Sequence, residues 1–220
     1  MLLGKPLPVS VTDRRHLRRA ETIQELLDTA IQVMAEQGAG GLSLGEVARR
    51  MGIRTPSLYV YFPSKNAVYD EVFANGWRMI NEVLAALPPI TTTTRIEDTL
   101  QITASTFARW CVEHPVHAQL MIWRPVPNWE PSAEAYAPAV LTIDLTRQRL
   151  ADLQSVGLLR QDVPLTELVS AWTVLIGGVI SGQLANAPDQ PFGSDSFTQT
   201  LPALVSMYVN HYRAKKRRTS

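Results

Sequence analysis

The sequence predicts an all-α protein, with an N-terminal three-helix domain carrying a helix-turn-helix and a helical bundle after it. Three observations carry that expectation. Apolar residues recur at three- and four-residue spacing through most of the 220 residues. Glycine or proline interrupts the periodicity wherever one stripe ends and another begins. Strand-like alternation bounded by turn residues is nearly absent.

The first helix is predicted over 14–37, where Ile23, Leu26, Leu27, Ala30, Val33 and Met34 form one stripe and Gly38 supplies the stop. A short second helix is expected over 44–51. Ser43 and Glu46 have capping-box spacing at its start, Val47, Ala48 and Met51 face inward, and Gly52 ends it. The third helix is expected over 55–61, with Pro56 in the first turn, where a missing N–H costs nothing, and Pro63 as terminator. Ser64 then caps a fourth helix over 65–87, with Val68, Val72, Phe73, Trp77, Ile80 and Leu84 on one face. After Pro88-Pro89, helices are expected over 94–113 and 115–123, then a proline-rich loop over 124–132. Helices over 133–155, 165–187 and 197–213 complete the chain.

Composition narrows the function classes. Hydrophobic residues make up 45% and charged residues 19%, so a sizeable core is available and wholesale disorder is excluded. The lone Cys111 rules out an internal disulfide framework or a cysteine-based zinc site and suits the cytoplasm. No secretory signal is expected from the opening residues, and the apolar run 168–184 is interrupted by polar residues and glycines, so no membrane partner is expected. The sequence has no GxSxG elbow, phosphate-cradling glycine loop or HExxH, so no enzyme and no cofactor are expected. His114 and His117 lie beside Glu113, but Pro115 intervenes and no third ligand is evident, so no metal is expected either. Charge is unevenly spread. Residues 1–65 hold nine Lys/Arg against six Asp/Glu, residues 66–212 seven against fourteen, and residues 213–220 five against none. A basic head on an acidic body suits one end that meets a polyanion.

The two short helices about Gly52 form a helix-turn-helix by pattern. A helix of that kind fits the major groove of B-DNA, and its N-terminal residues reach base edges. Here those residues are Arg54, Thr55, Pro56 and Ser57, while Tyr59, Tyr61 and Lys65 suit phosphate contacts. Beyond the pattern, residues 22–73 resemble the DNA-binding domain of the TetR (tetracycline-repressor-like) family. The resemblance rests on Leu26, Leu27, Ala30, Val33 and Gly38, on Ser43, Val47, Ala48 and Gly52, and on Leu58, Tyr59, Tyr61, Phe62, Ser64 and Lys65. It implies DNA contacts by Ser43, Thr55, Pro56, Ser57, Tyr59, Val60, Tyr61 and Lys65. Two departures stand out: Gly45 occupies a position where some members carry a base-contacting basic residue, and Tyr61 stands where histidine is common. Arg15, Arg18 and Arg19 either reach toward the duplex, as arms in that family do, or are simply solvated; the run 215–218 reads as a solvated tail.

Past residue 90 the resemblance weakens. What remains implies a helical-bundle ligand-binding and dimerisation domain. The expected organisation is 1–65 for the DNA-binding domain with its basic arm, 66–213 for the second domain with the fourth helix as connector, and 214–220 for a basic tail. Phe107, Trp110, Met121, Trp123, Trp129, Tyr136 and Trp172 are the candidate pocket for a small hydrophobic effector, with Arg109, His114, His117, Gln119 and Gln148 as polar candidates; plain core is the other reading of such aromatics. Gly178 and Gly182, one turn apart, are assigned with Leu201, Leu204, Val205 and Tyr208 to a homodimer seam, an internal helix crossing being the alternative. The whole reads as a DNA-binding repressor released from a palindromic operator by its effector. A ligand-responsive activator, or a helical small-molecule binder without DNA function, are the other readings.

Overall fold

The structure is a computed structural model that describes residues 11–214. The expected basic tail from Lys215 on lies outside the described residues. The chain forms two compact units that divide after Tyr69, inside the fourth helix, rather than after residue 65.

The first unit contains α1 (Val11–Gln37), a single 3-10 turn (Ala39–Gly41), α2 (Leu44–Arg50), α3 (Thr55–Leu58) and the start of α4 (Lys65–Ala85). Its core joins Leu26, Ala30, Val33 and Met34 of α1 to Val47 and Ala48 of α2, Leu58 of α3, and Phe62 and Val68. Gly52 takes φ +67°, a left-handed conformation that costs a glycine little. Its N–H bonds Arg49 O at 3.2 Å and the N–H of Ile53 bonds Ala48 O at 3.0 Å, the paired bonds of a Schellman stop.

Helix α3 corrects the sequence expectation. It ends at Leu58, and residues 59–61 are turn, not helix. Val60, Tyr61 and Phe62 lose side-chain freedom in a helix, and Pro63 disfavours helical backbone at the residue before it. The tight bond from Tyr61 N to Leu58 O, 2.9 Å, closes the turn.

The second unit contains the rest of α4, then α5 (Ile96–Glu113), α6 (Pro115–Ile122), α7 (Ala133–Ser155), α8 (Leu165–Asn186) and α9 (Ser196–Tyr212). Among the described residues there is no strand, only an isolated antiparallel bridge between Leu159 and Arg213. Helix α8 is central and packs on α5, α6, α7 and α9. By length and composition it is apolar enough to cross a membrane. Here Leu168, Trp172, Ile176, Ile180 and Leu184 are instead buried in the bundle. Prolines 138 and 202 lie inside α7 and α9, whose helices run through them. The carbonyl of Pro138 accepts from Asn81 Nδ2 at 2.9 Å, which joins α7 to α4. Cys111, on α5, is fully buried, and burial raises its thiol well above the usual range.

Glycines mark two close crossings. A Cβ on Gly76 of α4 would lie 2.6 Å from Met121 Sδ of α6, and one on Gly182 of α8 would overlap the Phe197 ring of α9. Gly182 therefore serves a crossing within the chain, not a seam between chains. The same correction holds for Leu201, Val205 and Tyr208. All three are buried in the bundle, and the Tyr208 hydroxyl donates to Leu168 O at 2.9 Å. Leu204 is half-buried and Gly178 exposed. The apolar residues that α8 and α9 leave uncovered are chiefly Val174, 74% exposed, and Met207, 65% exposed.

Candidate nucleic-acid interface and internal cavity

Leu58 fixes the geometry of the first unit's outer surface. Its side chain is fully buried, and around that anchor Arg54, Pro56, Ser57, Tyr59 and Val60 are exposed while Thr55 and Tyr61 are half-buried. Tyr59 is 50% and Val60 68% exposed beside the core leucine. The sequence-predicted contact residues of 54–61 are thus all at least partly exposed. Ser43 is exposed at the start of α2, and its Oγ accepts from Glu46 N at 3.4 Å. Gly45 beside it is exposed, so no side chain from that position enters the surface.

The basic residues divide into free and committed sets. Arg15 and Arg18 are exposed. Arg19 donates from Nη2 to Val60 O at 3.5 Å and lies over the Tyr61 ring, 5.2 Å from its centroid, which ties α1 to the turn after α3. Lys65 donates to Gly40 O at 3.2 Å and lies 5.5 Å from the Tyr69 ring centroid. The Tyr69 hydroxyl in turn donates to Ala39 O at 2.9 Å, and burial pushes its pKa up to about 12.

Arg49 and Arg50 look basic in sequence but are neutralised locally. Arg49 grips both Glu46 oxygens at 2.8 Å. Arg50 bonds Glu46 at 2.7 Å and both oxygens of Glu36 at 2.8 and 2.5 Å, so it clasps α2 to α1. The capping box is correspondingly half-formed: Ser43 caps, but the Glu46 carboxylate is held by arginines. Those guanidinium hydrogen bonds, Arg49 first and then Arg50, lower the Glu46 pKa to about 2 from an ordinary 4.5. A depressed folded-state pKa stabilises the fold above the unfolded value, and that contribution fades as pH falls toward the folded value. The Tm advantage of the wild type over Glu46→Gln is therefore expected in full above about pH 5 and to shrink between pH 4.5 and 2. Thermal melts at half-unit pH steps check it; a difference that stays constant through that window contradicts the assignment.

The second unit holds a partly open cavity of about 260 Å³ whose wall includes Trp77, Phe107, Met121, Thr142, Trp172 and Ile176. Of the seven sequence-predicted pocket residues, Phe107, Met121 and Trp172 line it. The other four are placed elsewhere by their partners. Trp129 is buried with its indole N–H on Asp70 Oδ1 at 3.0 Å. Tyr136 stacks on Phe73 at 6.0 Å, and Trp110 stacks on His114 at 4.4 Å. Trp123 donates to Ser181 Oγ at 3.0 Å on an exposed flank. None of the five polar candidates lines this cavity; Gln148 lines an adjoining one with Arg149, and Arg109 lies over the Phe192 ring. Sequence reasoning missed Trp77, Thr142 and Ile176. Trp77 was legible only as one member of the α4 stripe, because nothing in a stripe separates a residue that meets a partner from one that meets a void.

Residues 26–72 match the family model described as bacterial regulatory proteins, tetR family. The N-terminal domain is a TetR-family DNA-binding domain. The match spans the α2–α3 surface and the Leu58 anchor. Curated transcriptional regulators are similar to part of the chain. The HTH-type transcriptional regulator AcrR of Shigella flexneri is 34% identical over 63 residues, 29% of each chain. The biofilm operon icaADBC negative transcriptional regulator IcaR of Staphylococcus aureus (strain Newman) is 28% identical over 60 residues, 27% of this chain and 32% of its own. The chain thus aligns with less than a third of the length of these curated relatives. For the fold as a whole, the solved structure of the putative regulatory protein SCO4313 superposes with a TM-score of 0.70 at 21% identity, covering 89% of this chain and 98% of that one. The all-α architecture outside the TetR domain is therefore shared where sequence similarity is low.

Proposed function

We propose that this chain is a cytoplasmic transcriptional repressor that binds a palindromic operator as a homodimer and is released by a small hydrophobic effector. The observation that carries the reading is the exposed 54–61 surface around buried Leu58, within a TetR-type domain. It displays groups that read base edges, Arg54, Thr55 and Ser57, beside groups suited to phosphates, Tyr59, Tyr61 and Lys65. That AcrR is a transcriptional regulator and IcaR a negative one supports regulation, and repression, over enzymatic activity. The exposed Val174 and Met207 on α8 and α9 support self-association through that helix pair. An isologous dimer would present two recognition surfaces to two half-sites of a two-fold symmetric duplex. The cavity supports an effector. If the effector prefers one arrangement of the dimer and the operator another, each weakens the other's binding by the same factor. Helix α4, shared in sequence by both units, is the covalent route for that coupling.

The test is selection of bound duplexes from random DNA at two salt concentrations. Enrichment of a palindrome supports the reading; sequence-blind, salt-sensitive binding or none defeats it and favours a helical small-molecule binder. A transcription assay on the selected site separates repression from activation. On that site, Ser57→Ala or Thr55→Ala is expected to cost roughly 1–3 kcal/mol at one base position. Lys65→Ala is expected to weaken all sequences alike and to reduce the salt slope by about one. Quantitative competition binding checks both, and a change of base preference in Lys65→Ala contradicts the phosphate role.

A further inference from the structure

Among the described residues, the half-buried arginines are Arg50, Arg149 and Arg160. Arg50 holds both oxygens of Glu36, and Arg160 holds both oxygens of Asp162 at 3.0 and 2.7 Å. Arg149 holds no carboxylate; its printed partners are neutral oxygens. We propose that the Arg149 guanidinium anchors an organic acid, gripping the carboxylate of an amphipathic molecule whose apolar chain runs into the bundle. This deepens, and rests on, the effector-responsive reading above. It gives the effector a charged head and a site for that head beside the Trp77 cavity, not within it.

The surroundings of Arg149 suit that role. It lies on α7 and lines a second, partly open cavity, also of about 260 Å³, whose wall includes Leu84, Leu87, Ile90, Leu100, Leu150 and Trp172. Nε donates to Thr103 Oγ1 at 3.2 Å and Nη1 to Pro88 O at 3.0 Å, which fixes the guanidinium between α5 and the turn after α4. The Thr103 hydroxyl hydrogen goes to Thr99 O at 2.8 Å, so that group only accepts from Arg149. Nη2 has no hydrogen-bond partner among the described residues and is not enclosed, so its hydrogens are accessible to a ligand. The positive charge is thus positioned but not neutralised. Burial lowers the Arg149 pKa from its ordinary value and outweighs the opposing effect of the Asp152 charge. Asp152 shares the wall but forms no ion pair with Arg149, and its Oδ1 accepts from Gln148 Nε2 at 2.8 Å. A partly desolvated cation without a counter-ion is costly, and an incoming carboxylate offsets that cost while adding a charge-assisted hydrogen bond. The path of the chain follows from the walls. Leu84, Thr103, Thr146 and Trp172 line both cavities, so the two adjoin. No Asp, Glu, Lys, Arg or His lines the Trp77 cavity, which suits it to hydrocarbon and not to the charged head. At about 30 Å³ per water, the Arg149 cavity has the volume of roughly nine waters, about the size of octanoate.

The experiment is calorimetric titration of the full-length protein, free of DNA and at neutral pH, with octanoate, with octan-1-ol and with octylammonium. Saturable binding of octanoate at one per chain is expected, with the alcohol and the ammonium each at least about 10-fold weaker, the factor that a hydrogen bond to a charged group supplies. Arg149→Gln, which keeps a polar group but removes the cation, is expected to weaken octanoate to the level of the alcohol and to leave the alcohol unchanged. Arg149→Lys, which keeps the charge but not the fork of donors, is expected to bind the acid more weakly than the wild type and more tightly than the alcohol. Octan-1-ol binding as tightly as octanoate overturns the carboxylate. Octylammonium binding more tightly than octanoate overturns it too, and makes Asp152 the anchor. Octanoate affinity that is unaltered in either variant overturns the assignment to Arg149. No saturable octanoate binding overturns the proposal and leaves Arg149 as a tie between α7, α5 and the turn after α4. The three wild-type titrations test the charge preference even if a variant fails to fold. Because no DNA is present, failure here strikes the ligand class alone, whereas failure of the duplex selection strikes the regulator reading.

Discussion

Replacing Val174 by Arg is expected to convert the proposed dimer to monomers and to lower affinity for its proposed operator by about 10²–10⁴-fold. The size follows from linkage of two half-site contacts: once one recognition surface is bound, the second binds at high effective concentration, and a monomer forfeits that gain. Val174 is the most exposed large apolar side chain on α8, and Met207 holds the same place on α9. A guanidinium there would be buried against its own copy across a two-fold axis, where like charges meet unpaired. Sedimentation equilibrium gives the mass and gel-shift titration the affinity. Val174→Thr, which adds no charge, is expected to remain dimeric. A dimer that survives Val174→Arg moves the seam away from the α8–α9 outer surface, and the palindrome requirement then needs another geometry.

Leu58→Ala is expected to unfold the first unit while leaving the second folded. Leu58 is completely buried and is the contact by which the short α3 is held to the core. Truncating such a leucine costs about 2–5 kcal/mol. A unit that ends at Tyr69 is small enough that this is a large share of its stability. The five tryptophans make the two units separately visible: residues 77, 110, 123, 129 and 172 all lie beyond Tyr69. Tryptophan emission thus reports the second unit alone, while circular dichroism reports both. Partial loss of helical signal at the temperature where emission is unchanged, together with loss of DNA binding, is the expected pattern. Coincident transitions by both probes would show that the units unfold as one.

Much of this was legible before any coordinates. The α1 stripe from Leu26 to Met34, the stops at Gly38 and Gly52 and the caps at Ser43 and Ser64 depend on local periodicity and backbone chemistry, which a single sequence carries. What it carried poorly was the outcome of competition between partners. Glu46 had the spacing to cap its helix, but two arginines within the next turn outbid a backbone N–H for its carboxylate. Gly182 was recognised as a close-approach residue, yet the ring it accommodates, Phe197, is decided by which helix α8 meets, a tertiary fact. The same holds for Leu201 and Val205, whose apolar character fits a core and a seam equally. The cavity was hardest, since aromatic residues that fill space and those that border it have identical patterns. Four of the seven predicted residues found ring or hydrogen-bond partners elsewhere.

The burial of Cys111 has a practical corollary. Thiol-reactive labels act on the thiolate, and a side chain that is both enclosed and held protonated offers them almost none. An added cysteine on the outer surface, at Val60 for instance, would then be the only thiol to react in the native protein. A spin probe or dye could be installed there without first removing Cys111. The separation between the two labelled sites in a dimer could be measured with and without effector, which makes the postulated switch a distance that can be read.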